Sequence, residues 1–298
     1  MESAPPQTRL TTMPNQFKLH VVPPPASLDW THPRQLLKKT LWHHLIQDSH
    51  PIGHFYIEIE SEEPNAYGVK HVISGMSRQH RNRSTVKVAI EQIGMGTFFY
   101  DFPGKLDAGV DARRGVEWAR QKGRLKTVVV PLSSERARLL FEELHLWILN
   151  GSFRHYGGGH QILLGQGSGC AEMGAHFLNL ALGKKAIPES WIRKVYAPNH
   201  LVGGARTGRR VGMLQLYLEG LEWAKGSEDG QLIATPDMEL AWDWLEKHYP
   251  GKPVVTLTPA EFPADLEPVE RIRFTAGYPL ESEETLNQQW ARLRLDPA

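Results

Sequence analysis

A chain of 298 residues with 34 basic and 33 acidic side chains carries a formal charge of +1, which argues against a nucleic-acid binder held by a broad positive field. Its 41% hydrophobic and 22% charged content is ordinary for a globular protein, and a chain of this length buries roughly three quarters of its unfolded surface without disulfide staples. One cysteine excludes an internal disulfide, and a thiol metal site would need His or carboxylate partners.

The first sixteen residues are polar and proline-bearing, with no apolar stretch of the kind a secretory signal needs. No apolar run approaches a membrane span. The expectation is a chain that is cytoplasmic as synthesised, with no classical signal peptide and no integral membrane segment. Residues 1–34 read as a tail and a Pro-rich lead-in. Leu37, Leu41 and Leu45 recur at four-residue steps and predict a helix over 35–46. His54 to Glu60 alternates as a strand, with Phe55, Ile57 and Ile59 on one side and His54, Tyr56, Glu58 and Glu60 on the other. Val69 to Ser74 reads as the neighbouring strand. Further strands are expected over 85–93 and 97–102. The basic clusters that include Arg78, Arg113, Arg114, Arg209 and Arg210 read as solvated or partner-facing charge.

Thr127 to Leu132 predicts a strand, followed by a serine-capped helix over 135–149 that stops at Asn150-Gly151. A glycine-rich loop then leads to Cys170, which opens a helix ended by Gly183. Residues 186–208 read as irregular, 212–224 and 238–249 as helical, 254–257 as a short strand, 271–274 as another, and 283–294 as a closing helix capped by Ser282. The domain reading is therefore a lead-in over 1–34, a catalytic domain over 35–185, and a helical extension or cap over 186–298.

Cys170 stands where a helix presents unpaired N–H groups and a partial positive charge. Both favour the thiolate and lower the thiol pKa. A preceding glycine allows close approach of a substrate carbonyl, and the Cys170 N–H can donate to the oxyanion that develops. Such a nucleophile needs a base, and the base needs a group to orient it. The order of elements supplies candidates: a strand opening Gly53-His54, a strand carrying His71, a strand and helix over 127–149, an aromatic-glycine pair at Tyr156-Gly157, then the cysteine helix.

That order resembles the circularly permuted branch of the NlpC/P60 papain-like superfamily, which includes the lecithin:retinol acyltransferase-like proteins. There the strand histidine precedes the nucleophile. GHFYIEIE is similar to the family's histidine strand, whereas GCAEMGAHFLNLAL departs from its usual Asn-Cys pattern, with Gly169 in place of the asparagine. The resemblance implies an α+β fold, an antiparallel sheet packed on the nucleophile helix. It makes Cys170 the nucleophile, His54 the base and His71 the orienting residue, with Glu58 as the alternative orienter. Gln166 and His160 are candidates for a second oxyanion donor. No H-E-x-x-H or paired-cysteine spacing is present, so no metal and no cofactor are expected.

The implied activity is that of a cysteine hydrolase working through a thioester acyl-enzyme. An amidase or peptidase on peptidoglycan-like amides leads. A lipid acyl hydrolase or acyltransferase follows, and a non-enzymatic adaptor on the same scaffold is third. By analogy with contact-delivered toxins of this superfamily, a delivered antibacterial effector with an immunity or delivery protein as partner is also implied.

Overall fold

The computed structural model describes residues 15–46, 53–79, 90–158, 162–273 and 279–295. In chain order the first half contains β1 (Gln16–Val22), α1 (Pro33–Ile46), β2 (His54–Glu60), β3 (His71–Ser74), β4 (Met76–Arg78), β5 (Phe102–Leu106), α2 (Gly109–Gln121), β6 (Lys126–Pro131) and α3 (Ser134–Leu149). The second half contains β7 (His155–Tyr156), α4 (Cys170–Leu182), β8 (Ile192–Pro198), α5 (Met213–Glu219), β9 (Gly230–Pro236), α6 (Met238–His248), β10 (Val254–Thr256) and α7 (Glu283–Leu293). The fold class is α+β, as expected.

Five strands form the central sheet in the order β10-β6-β1-β2-β3. β1 pairs antiparallel with β2, which sets Val22 opposite His54 and Leu19 opposite Ile57. The period-2 alternation of both strands sends Phe17, Leu19, Val21, Phe55, Ile57 and Ile59 into the main core. There they meet Leu140, Leu144 and Trp147 of α3 and Met173 and Phe177 of α4. Toward the other face a smaller core joins Val22, Tyr56 and Ile73 to Ala112, Val116 and Ala119 of α2. Ser133 caps α3 by accepting the Arg136 N–H, and Ser282 caps α7 by accepting that of Thr285.

Several expectations change. Gln16–Val22 is an inner strand of the sheet rather than part of a loose lead-in, because its apolar positions pair in register with β2 and β6 on both edges. The region after 185 is not a purely helical extension. β8 and β9 form a hairpin there, and β10 joins the sheet parallel to β6. Residues 97–102 are not a strand: Met95–Phe99 makes a 3-10 turn and β5 begins at Phe102. Most of the strand expected over 85–93 lies outside the described residues. In its described part, Ile93 makes only an isolated bridge to Val211. Residues 271–273 have no regular structure, and 274 lies outside the described residues. Among the described residues no helix is long and apolar enough to cross a membrane.

Candidate active site

α4 packs against β2 and β1, and its N-terminus lies beside the start of β2. This brings Cys170 to His54, which share a hydrogen bond. As the first helical residue, Cys170 has a backbone N–H with no intrahelical acceptor. The sulfur also accepts from the Phe55 backbone N–H and from the Tyr156 hydroxyl at 3.8 Å. Tyr156 enters from β7, just before the glycine-rich loop.

A carboxylate beside His54 is that of Asp107, which directly follows β5. Its Oδ2 lies 3.4 Å from His54 Nε2, which leaves Nδ1 to serve the thiol. Asp107 is itself held: its Oδ2 accepts the Ser77 hydroxyl at 2.8 Å, its backbone N–H donates to Gly75 O at 2.9 Å, and its carbonyl accepts from Ser74 Oγ at 2.9 Å. Gly75 gives the imidazole room, since a Cβ there would meet His54 Nε2 at 2.6 Å and Phe55 O at 2.9 Å.

The structure does not bring His71 to His54. Antiparallel register sets it opposite Glu60, six positions along β2 from His54, or about 20 Å at the rise of a strand. Past Ser74 the chain leaves that pairing: Ser77 lies on β4, opposite Lys105 of β5, and holds Asp107. Glu58 is likewise engaged with other side chains. Its carboxylate accepts from His71 Nε2 at 2.8 Å and pairs with His20 Nε2 at 2.7 Å and Lys18 Nζ at 3.0 Å, so it belongs to a cluster further along the sheet. Glu58, Glu60 and His71 place ligand atoms within 4.8 Å of one another, a set able to hold a metal ion. Lys18 already supplies positive charge there, reaching Glu60 at 2.6 Å. Gln166 stands half-buried between two glycines of positive φ, Gly165 and Gly167. His160 lies outside the described residues.

The electrostatics suit an ion pair. Burial opposes charge on His54 most strongly, but the Cys170 thiolate and the Asp107 carboxylate outweigh it and raise its pKa to about 9. Burial likewise pushes the Cys170 thiol up, yet the charge and hydrogen bond of His54, the Phe55 N–H and the Tyr156 hydroxyl together bring it below its ordinary value. Tyr156 is raised well above the usual phenol range by burial and by the neighbouring thiolate, which keeps it a neutral donor.

Cys170 is only 3% exposed and His54 2%, since the sheet end, Tyr156 and the first turn of α4 enclose them. Sequence reasoning missed Asp107, Tyr156 and Ser77. Only Tyr156 carried a hint, as the aromatic before the loop glycine. Asp107 arrives beside His54 through the tertiary path of β4 and β5. Protein-family models, curated protein sequences and solved structures give no match to this chain.

Proposed function

We propose that this protein is a cysteine hydrolase or acyltransferase of the permuted papain-like type, with Cys170 as nucleophile, His54 as acid–base and Asp107 as the residue that orients His54. The observation that carries the reading is the meeting of these three side chains at the N-terminus of a buried helix. The thiolate attacks the acyl carbonyl carbon, and the Cys170 N–H faces the oxyanion that forms. His54 gives its proton to the leaving amine as the C–N bond breaks, which leaves a thioester. Water then attacks the thioester, passes a proton to His54, and releases the acid and the thiolate. An amide, as in peptidoglycan stem peptides, is the leading substrate class, and delivery as an antibacterial effector is part of this reading.

Two further readings each rest on an observation. A lipid acyl substrate is favoured by Leu214, Tyr217, Leu218 and Leu221, four large side chains that stay exposed in and just after α5. A non-enzymatic scaffold is favoured by the burial of the thiol.

Intact-mass measurement after incubation with activated peptide-like and lipid-like acyl probes separates the three. The expected result is a single acyl adduct, absent from Cys170→Ala, with the favoured probe class naming the substrate. A thiol that reacts with no acyl probe, and with iodoacetamide only after denaturation, returns the scaffold. In the productive case kcat/KM rises as Cys170 ionises at a pH below that of an ordinary thiol. It falls again near pH 9, where His54 loses its proton.

A further inference from the structure

Arg78 ends β4, opposite Gly104 of β5, and it is half-buried rather than solvated as its sequence context implied. Its guanidinium carbon lies 4.1 Å from the centroid of the Phe102 ring and 5.5 Å from that of Tyr156. Tyr156 in turn touches the nucleophile through its hydroxyl. The cation is therefore fixed by stacking on two aromatic faces, and among the described residues its planar fork of N–H donors makes no hydrogen bond. Among the described residues no carboxylate pairs with it.

The acids of neighbouring elements are engaged elsewhere. Asp101 pairs with His155 at 2.7 Å, Glu172 accepts from Thr235 at 2.6 Å, and Asp107 serves His54 and Ser77. The thiolate acts on Arg78 through space, but it has three donors of its own in His54, Phe55 and Tyr156. A partly desolvated guanidinium with its fork unused is costly unless an oxyanion completes it.

From this geometry we infer that Arg78 is the anion subsite of the active centre and binds a carboxylate or phosphate group carried by the acyl substrate close to its scissile bond. The inference deepens the acyl-transfer reading and rests on it for the word substrate. The binding itself does not require turnover. In an amide substrate the group is the free carboxylate of the residue beside the scissile amide. In a lipid substrate it is the headgroup phosphate.

Titration calorimetry on the full-length Cys170→Ala protein tests it with two matched pairs, N-acetylalanine against N-acetylalaninamide and glycerol 3-phosphate against glycerol. In at least one pair the anion binds more tightly than its neutral partner by about tenfold or more, as a charge-assisted hydrogen bond supplies. The pair that discriminates identifies the source of the anion. In the Arg78→Met background that advantage disappears, and in Arg78→Lys, which keeps the charge without the fork, part of it remains. Equal binding within both pairs overturns the inference, as does an anion preference that survives Arg78→Met. If the anion preference holds while no acyl adduct ever forms on Cys170, the subsite stands and the enzymatic reading falls. If adducts form and no pair discriminates, the reverse follows.

Discussion

Burial alone would strip the proton from His54, and the side chains that prevent this are Cys170 and Asp107. Asp107 is thus the residue whose loss tests the site most cleanly, because it touches neither the thiol nor the acyl group. Asp107→Asn keeps the shape and removes the charge. We expect kcat/KM to fall by about 10²- to 10⁴-fold, the range lost when general acid–base catalysis fails. The fall near pH 9 should move to lower pH, since the imidazolium loses a counter-charge. Ser77→Ala should cost less, because the Asp107 backbone remains tied to Gly75 and Ser74. A pH profile of iodoacetamide alkylation, followed by mass, reads the same shift without a substrate. An unchanged profile in Asp107→Asn would remove Asp107 from the mechanism.

At the scale of elements, the site exists because α4 lies close enough to β2 for a helix N-terminus and a strand start to share one proton. Gly174 sets that distance. A Cβ at this position would meet Phe55 Cδ2 at 2.7 Å, Phe55 Cβ at 2.8 Å and Leu19 Cδ1 at 2.9 Å. In an exposed helix the change from glycine to alanine would stabilise by about 1 kcal/mol. Here the methyl must instead push the helix from the sheet, and overpacking of this kind costs about 1–3 kcal/mol. Gly174→Ala should therefore lower stability in chemical denaturation. It should also raise the pH at which Cys170 ionises, as the thiol draws away from His54. A stabilised variant with unaltered thiol reactivity would contradict the packing described.

Across the whole molecule, distant parts of the chain are joined by a buried carboxylate. Glu143 of α3 is fully buried. It accepts from His176 of α4 at 2.7 Å, from the Ile272 backbone N–H at 2.8 Å and from Arg271 Nε at 3.1 Å. Burial raises its pKa, but His176, Ile272 and Arg271 outweigh that and hold it below the ordinary 4.5. A carboxylate with a lowered folded pKa lends stability above its unfolded pKa, and that stability drains away as pH falls toward its folded value. Glu143→Gln should cost about 3 kcal/mol at pH 7, since it leaves Arg271 and His176 short of a buried partner. The gap to the native protein should narrow below about pH 4.5. Denaturant titrations at pH 7 and pH 4 check both statements, and a gap that widened on acidification would refute the role given to Glu143.

The sequence by itself determined the local pieces: the alternation that makes Phe55, Ile57 and Ile59 one face of a strand, the serine caps of α3 and α7, and the helix that Cys170 opens. These follow from periodicity and capping, which act over a few residues. It also pointed to His54 as the partner of the thiol, through the order of elements. What only the tertiary structure decided was which groups complete the site. β3 leaves its register after Ser74, and the chain returns through β4 and β5, so Asp107 rather than His71 reaches His54 and Arg78 turns inward to Tyr156. The strand Gln16–Val22 likewise gained its inner place from pairing on both edges, and β10 its place from a parallel partner more than a hundred residues away. Strand alternation fixes which way a side chain faces; which strand arrives beside it depends on long-range pairing that no local pattern records.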